Sequence, residues 1–103
     1  MITNTHPIER LIDAKVQTPF IEQALEKIIQ DQIAQEEIEL QRLQPRLAKY
    51  EDVYNMPSSK FFALYQNGEM GDEMDYFEWN VIYKMYLESN KRKKSLNQES
   101  DYN

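Results

Sequence analysis

From Phe20 to Tyr54 the chain carries no glycine, and its filling is mostly Gln, Glu, Leu, Ile, Ala, Lys and Arg, all of which except isoleucine lose little on entering a helix. Along this stretch Ile29, Ile33, Glu36, Leu40, Leu43, Leu47, Tyr50 and Tyr54 are spaced alternately by four and three residues. That is the 3.5-residue seam of a coiled coil, with Glu36 as its single interruption. The spacing predicts one long helix over 19–54. Ile21, Ala24, Leu25 and Ile28 fall on a neighbouring stripe, which predicts a change of face or partner near Ile28 and Ile29. Pro45 lies inside the seam; it lacks the N–H that would bond to Gln41, so a bend at a cost of about 3 kcal/mol is expected, and the stripe beyond it argues against a stop. A helix of this length gains too little from propensity to stand alone, so Ile29, Ile33, Leu40, Leu43, Leu47, Tyr50 and Tyr54 are read as an oligomer seam that drives homodimerisation.

The remaining segments are punctuated as helices too. Residues 1–18 read as a short amphipathic helix, with Ile8, Leu11, Ile12 and Val16 behind Pro7, and Thr18-Pro19 supplies a fresh start signal for the long helix. After the turn Asn55-Met56-Pro57, Ser58 or Ser59 is expected to cap a short helix over 58–67 that Gly68 ends in a left-handed conformation. Asp72 is expected to open the last helix, over 72–90, with Met74, Phe77, Val81 and Met85 on one face and Trp79, Ile82, Tyr83 and Tyr86 on the adjoining one. Residues 91–103 read as a tail, basic through Lys91, Arg92, Lys93 and Lys94 and polar afterwards, the basic knot sitting where a helix dipole favours positive charge. The expected fold is all-α: a long coiled-coil-like helix with an antiparallel C-terminal helix, a helical hairpin that assembles into an oligomer.

Much chemistry is excluded by composition. The chain has 103 residues, a formal net charge of −6, no cysteine, one histidine (His6) and two glycines, Gly68 and Gly71, whose spacing matches no phosphate-binding loop. Neither a zinc site nor a Cys/His nucleophile pair can be assembled, and His6 stands alone near one end. No apolar run approaches the roughly 20 residues that cross a bilayer, and Met1 to His6 lacks a basic region followed by an apolar core, so a cytoplasmic protein without a membrane partner is expected. Glu36-x-x-Glu39 and Glu69-x-x-Asp72 suggest the magnesium sites of all-α nucleotide pyrophosphohydrolases. The second pair brackets Gly71 in a loop, however, and no basic set for phosphates accompanies it. The reading is therefore non-enzymatic, with no cofactor and no metal. Four basic residues without interleaved aromatics, in an acidic chain, argue against nucleic acid as a partner.

Aromatic side chains are in excess between Phe61 and Tyr86, more than a domain this small buries with ease. Phe61, Phe77 and Val81 are expected in the core, and Trp79, Tyr83 and Tyr86 at a contact surface. The string Tyr54-x-Met56-x-Ser58-x-x-Phe61, followed by Gly68-x-x-Gly71-Asp72-x-x-Asp75-x-Phe77-Glu78-Trp79 and Tyr83-x-Met85-Tyr86, resembles small prokaryotic, often cyanobacterial, all-helical antitoxin-like proteins with a Gly-Asp-x-x-Asp-x-x-Glu-Trp motif. The likeness covers residues 50–87; Pro57 stands where serine is the expected residue, and no DNA-binding segment is visible. The resemblance implies an acidic interaction module that holds a small basic toxin, with Glu69, Asp72, Glu73, Asp75 and Glu78 as the negative patch and Trp79, Tyr83 and Tyr86 as anchors. Trp79→Ala is then expected to weaken neutralisation while leaving helicity intact. A self-assembling coiled-coil scaffold is the alternative, and a magnesium-dependent pyrophosphohydrolase the third reading.

Overall fold

The computed structural model describes Pro7, Glu9, Arg10 and residues 18–98. The N-terminal helix expected over 1–18, His6 within it, and the end of the polar tail from Glu99 onward lie largely or wholly outside the described residues. Three helices and no strand are present among the described residues: α1, Thr18–Tyr54; α2, Ser58–Gln66; and α3, Met74–Gln98. The fold is all-α. Contacts divide the chain into two units, Met1–Asp31 and Gln32–Asn103, and the division falls within a turn of the place where the apolar stripe shifts. In the first unit, Ile21 is buried, Leu25 and Ile29 are half-buried, and Lys27 pairs with Asp31 one turn on at 3.4 Å.

The second unit is a helical hairpin. Tyr54 meets Asp75, Tyr50 meets Glu78, and Glu36 meets Ser89 and Arg92, so α1 and α3 run antiparallel. Helix α1 passes through Pro45 without stopping. Pro45 is exposed, while Leu43 and Leu47 on either side of it are buried, so packing of the inner stripe offsets the missing hydrogen bond. The core is Leu43, Leu47, Phe61, Trp79 and Ile82, surrounded by half-buried residues that include Tyr50, Tyr54, Met56 and Tyr65.

Both helix ends at the turn are closed by the same device. Asn55 takes φ 53°, and the Met56 N–H bonds to the Glu51 carbonyl. Gly68 takes φ 74°, and the Gly68 and Glu69 N–H groups return to the Tyr65 and Leu64 carbonyls. These are left-handed C-terminal closures in which orphan carbonyls find donors. The start of α2 departs from expectation. Its N-cap is Pro57, which makes no side-chain cap, and neither serine hydroxyl serves there. Instead the carboxylate of Glu51, reaching over from α1, accepts the Ser58 N–H at 2.9 Å, which frees the Ser58 hydroxyl for the core.

Three further expectations are corrected. Helix α3 starts at Met74 and continues to Gln98 instead of spanning 72–90. The basic knot therefore lies within the helix and not at its C-terminal end: Arg92 binds Glu36 at 2.8 Å and Lys93 binds Glu37 at 3.5 Å, and these cross-helix pairs hold the added turns against α1. The seam, finally, closes within the chain. Ile33, Leu40, Leu43 and Leu47 are buried and Tyr50 and Tyr54 half-buried in the single chain, and Leu43, Leu47, Tyr50 and Tyr54 pack with Phe61 of α2 and with Trp79 and Ile82 of α3. The argument from an open seam to homodimerisation no longer applies.

Candidate interaction surface

Trp79 sits at the centre of the hairpin, fully buried. Phe61 of α2 stacks on it with ring centroids 3.9 Å apart and planes within 4°. Tyr50 and Tyr54, one turn apart on α1, lie nearly parallel to it at 5.5 and 5.6 Å. The indole N–H donates to Ser58 Oγ at 2.9 Å. Ser58 thus links three helices: its N–H is held by Glu51 of α1, its hydroxyl accepts from Trp79 of α3, and it belongs to the first turn of α2. The expectation that Trp79 anchors a partner is overturned. Phe77 and Val81, expected in the core, are 56% and 38% exposed. The physical reason is that α3 carries two apolar stripes and only one can face the hairpin. The stripe with Trp79 buries the larger ring and finds a hydrogen-bond acceptor for its N–H.

The acidic motif is divided by the same packing. Asp75 and, one turn on, Glu78 and Trp79 lie on the side of α3 that meets α1. The Tyr54 hydroxyl donates to Asp75 Oδ2 at 2.7 Å, and the Tyr50 hydroxyl donates to Glu78. Both tyrosines have pKa values pushed up to about 12, Tyr54 chiefly by its bond to Asp75, and Tyr50 chiefly by desolvation and next by its bond to Glu78. Glu78 also faces Arg46 at 3.7 Å. Glu69, Asp72 and Glu73 are exposed. The open cleft beside Tyr50, about 350 Å³, is lined by Arg46, Lys49, Val53, Asp75 and Glu78 as well. Within it Arg46 faces Glu78, and Asp75 accepts from Tyr54.

Glu36, the seam's interruption, is 9% exposed. It accepts a bond from Ser89 Oγ at 2.6 Å and two from the Arg92 guanidinium, at 2.8 and 3.3 Å. The Arg92 bond, followed by the Ser89 bond, lowers its carboxyl below the usual range. Glu39 bonds Arg42 within α1 at 2.8 Å. Each carboxylate of Glu36-x-x-Glu39 is thus engaged by an arginine, and among the described residues no three His, Cys, Asp or Glu side chains gather as a metal set.

Besides Leu87, what remains uncovered among the large apolar residues of α3 is a stripe. Met74, Phe77 and Val81 are 75%, 56% and 38% exposed, and at 100° per residue they fall within about 60° of one another, on the side away from Trp79. Glu73 and Glu78 flank the stripe. Of the expected anchors, Tyr83 and Tyr86 are half-buried: Tyr83 packs on Phe62 of α2 at 5.2 Å and stacks with Tyr86 at 6.0 Å. Ser58, Ser89 and Glu51 were not singled out as structural partners by sequence reading. Glu36 was visible there as a break in the seam, and a charged residue at a seam position is a signal that some buried partner awaits it. The chain matches no family model, no curated protein and no solved structure.

Proposed function

We propose that this chain is a non-enzymatic protein-interaction module, the acidic, antitoxin-like partner of a small basic protein. The observation that carries the reading is the second apolar stripe of α3, Met74, Phe77 and Val81, left in solvent beside the carboxylates of Glu69, Asp72, Glu73 and Glu78. Apolar side chains at helical spacing provide a contact face, and surrounding negative charge raises the encounter rate with a basic partner and discriminates against acidic ones. The buried polar groups of the hairpin, Glu36, Ser58, Asn80 and Ser89, are engaged in hydrogen bonds within it and serve the packing.

The test is whether an adjacent gene encodes a small basic protein and, where it does, co-production of that protein with this chain; absence of such a neighbour overturns the reading. Growth arrest by the basic protein alone, relieved when both are made, is the expected result; arrest that persists overturns the reading. The scaffold alternative keeps the exposed apolar residues of α1, Phe20, Ile28, Ile38 and Val53. It predicts assemblies in sedimentation that grow with concentration. Magnesium-dependent turnover of nucleoside triphosphates would restore the enzyme.

A further inference from the structure

We infer that the outer face of the first turns of α3 is the docking site, and that its occupant is a basic amphipathic helix laid along Met74, Phe77 and Val81. The inference rests on the proposed function and adds to it a site, anchors and the chemistry of the occupant. Three observations choose that occupant. The stripe has the i, i+3, i+7 spacing by which one helix meets another. It stands on the most firmly held part of α3, since Trp79 and Ile82 pin the opposite face into the core at 0% and 2% exposure. The face is therefore preorganised, and docking costs little ordering of backbone. Charge makes the third: between Glu69 and Glu88, Asp75 and Glu78 are bonded to Tyr54, Tyr50 and Arg46 of α1, and the exposed carboxylates of Glu69, Asp72, Glu73 and Glu88 stand against one cation, Lys84. Arg46 of α1 reaches only Glu78.

A second copy of this chain is the weaker occupant. A two-fold contact centred on Phe77 would gather both sets of Glu69, Asp72, Glu73 and Glu78 within about one screening length, at a cost that a stripe of three side chains does not offset. An acidic helix meets the same repulsion. A helix with leucines on one face and lysines on the other satisfies both the apolar stripe and its rim.

The experiment titrates the full chain with a fluorescently labelled synthetic helix of alternating leucine and lysine faces, and with its leucine–glutamate counterpart, following anisotropy and backbone amide shifts. Expected are binding of the lysine peptide, shifts centred on Met74, Phe77 and Val81, and no binding of the glutamate peptide. Phe77→Ser should weaken binding by about tenfold or more, as for an anchor residue. Glu73→Lys should weaken it several-fold at low salt and less at high salt. Circular dichroism checks that both variants keep the helicity of the parent. Equal binding by Phe77→Ser, or equal binding of the two peptides, overturns the inference, as does concentration-dependent self-association of the parent that Phe77→Ser abolishes. Relief of growth arrest undiminished by Phe77→Ser overturns the site and leaves the proposed function standing. Phe77-dependent binding of the lysine peptide, with growth arrest unrelieved by the parent, supports the site and removes the proposed function.

Discussion

The two ends of the hairpin are held by different physics. Near the turn, Trp79, Phe61, Leu43, Leu47 and Ile82 form an apolar plug whose one buried N–H is answered by Ser58. At the far end, α1 and α3 meet through Glu36, Ser89 and Arg92, with Glu37 and Lys93 beside them. Burial of aromatic area is non-directional and large, so the plug supplies most of the stability. Charge-assisted bonds are directional and, beside water, worth little net. They are satisfied only when Glu36 lies opposite Ser89 and Arg92. The comparison teaches that one end makes the hairpin stable and the other sets its register.

The comparison breaks most readily at the plug. Trp79→Ala removes the central ring and leaves a cavity; the expected loss is about 3–5 kcal/mol, enough to unfold the unit outright or nearly so. Denaturant unfolding followed by circular dichroism measures it, and helicity retained at the parental midpoint would return Trp79 to the surface. Ser58→Ala keeps the shape but strands the indole N–H, for an expected loss of about 1–3 kcal/mol. Glu36→Ala should cost about 1 kcal/mol. By contrast, Glu36→Leu with Ser89→Ala should be close to neutral in stability but loosen register, seen as doubled amide peaks in the far half of α3. Phe77→Ser should change the unfolding midpoint least, within about 0.5 kcal/mol, since its ring lies outside the core.

Acid and alkali separate the two ends as well. Glu36 has a lowered pKa in the folded chain, so its contribution is present above the ordinary carboxyl value and is lost as pH falls through the lowered one. Tyr50 and Tyr54 have raised values, so theirs is present below the ordinary phenol pKa near 10 and is lost as pH rises through about 12. Amide exchange should therefore open first at the Glu36 end in acid and at the tyrosine end in alkali. The opposite order would overturn the assignment.

Helix existence was legible in the sequence because local chemistry writes it. The glycine-free run with a 3.5-residue stripe placed α1, and Gly68 placed the end of α2 through the left-handed backbone its closure demands. The acids of the candidate surface were legible as well, and Glu69, Asp72 and Glu73 do lie in solvent. Periodicity alone could not say which of two apolar stripes on α3 turns inward. That depends on ring size, on Ser58 waiting as an acceptor, and on Glu51 relieving Ser58 of its capping duty, all of which are contacts between segments distant in sequence.

The chain by itself determined that it would be helical, acidic and poor in histidine and cysteine, because propensity, charge and residue type are properties of neighbours along the backbone. Tertiary structure alone decided that the seam would be covered from within, that Trp79 would be a plug and Phe77 a surface residue, and that the basic knot would hold α3 to α1. Each of those outcomes is a choice among partners offering similar apolar area. Such choices are settled by which pairing leaves no buried polar group unanswered.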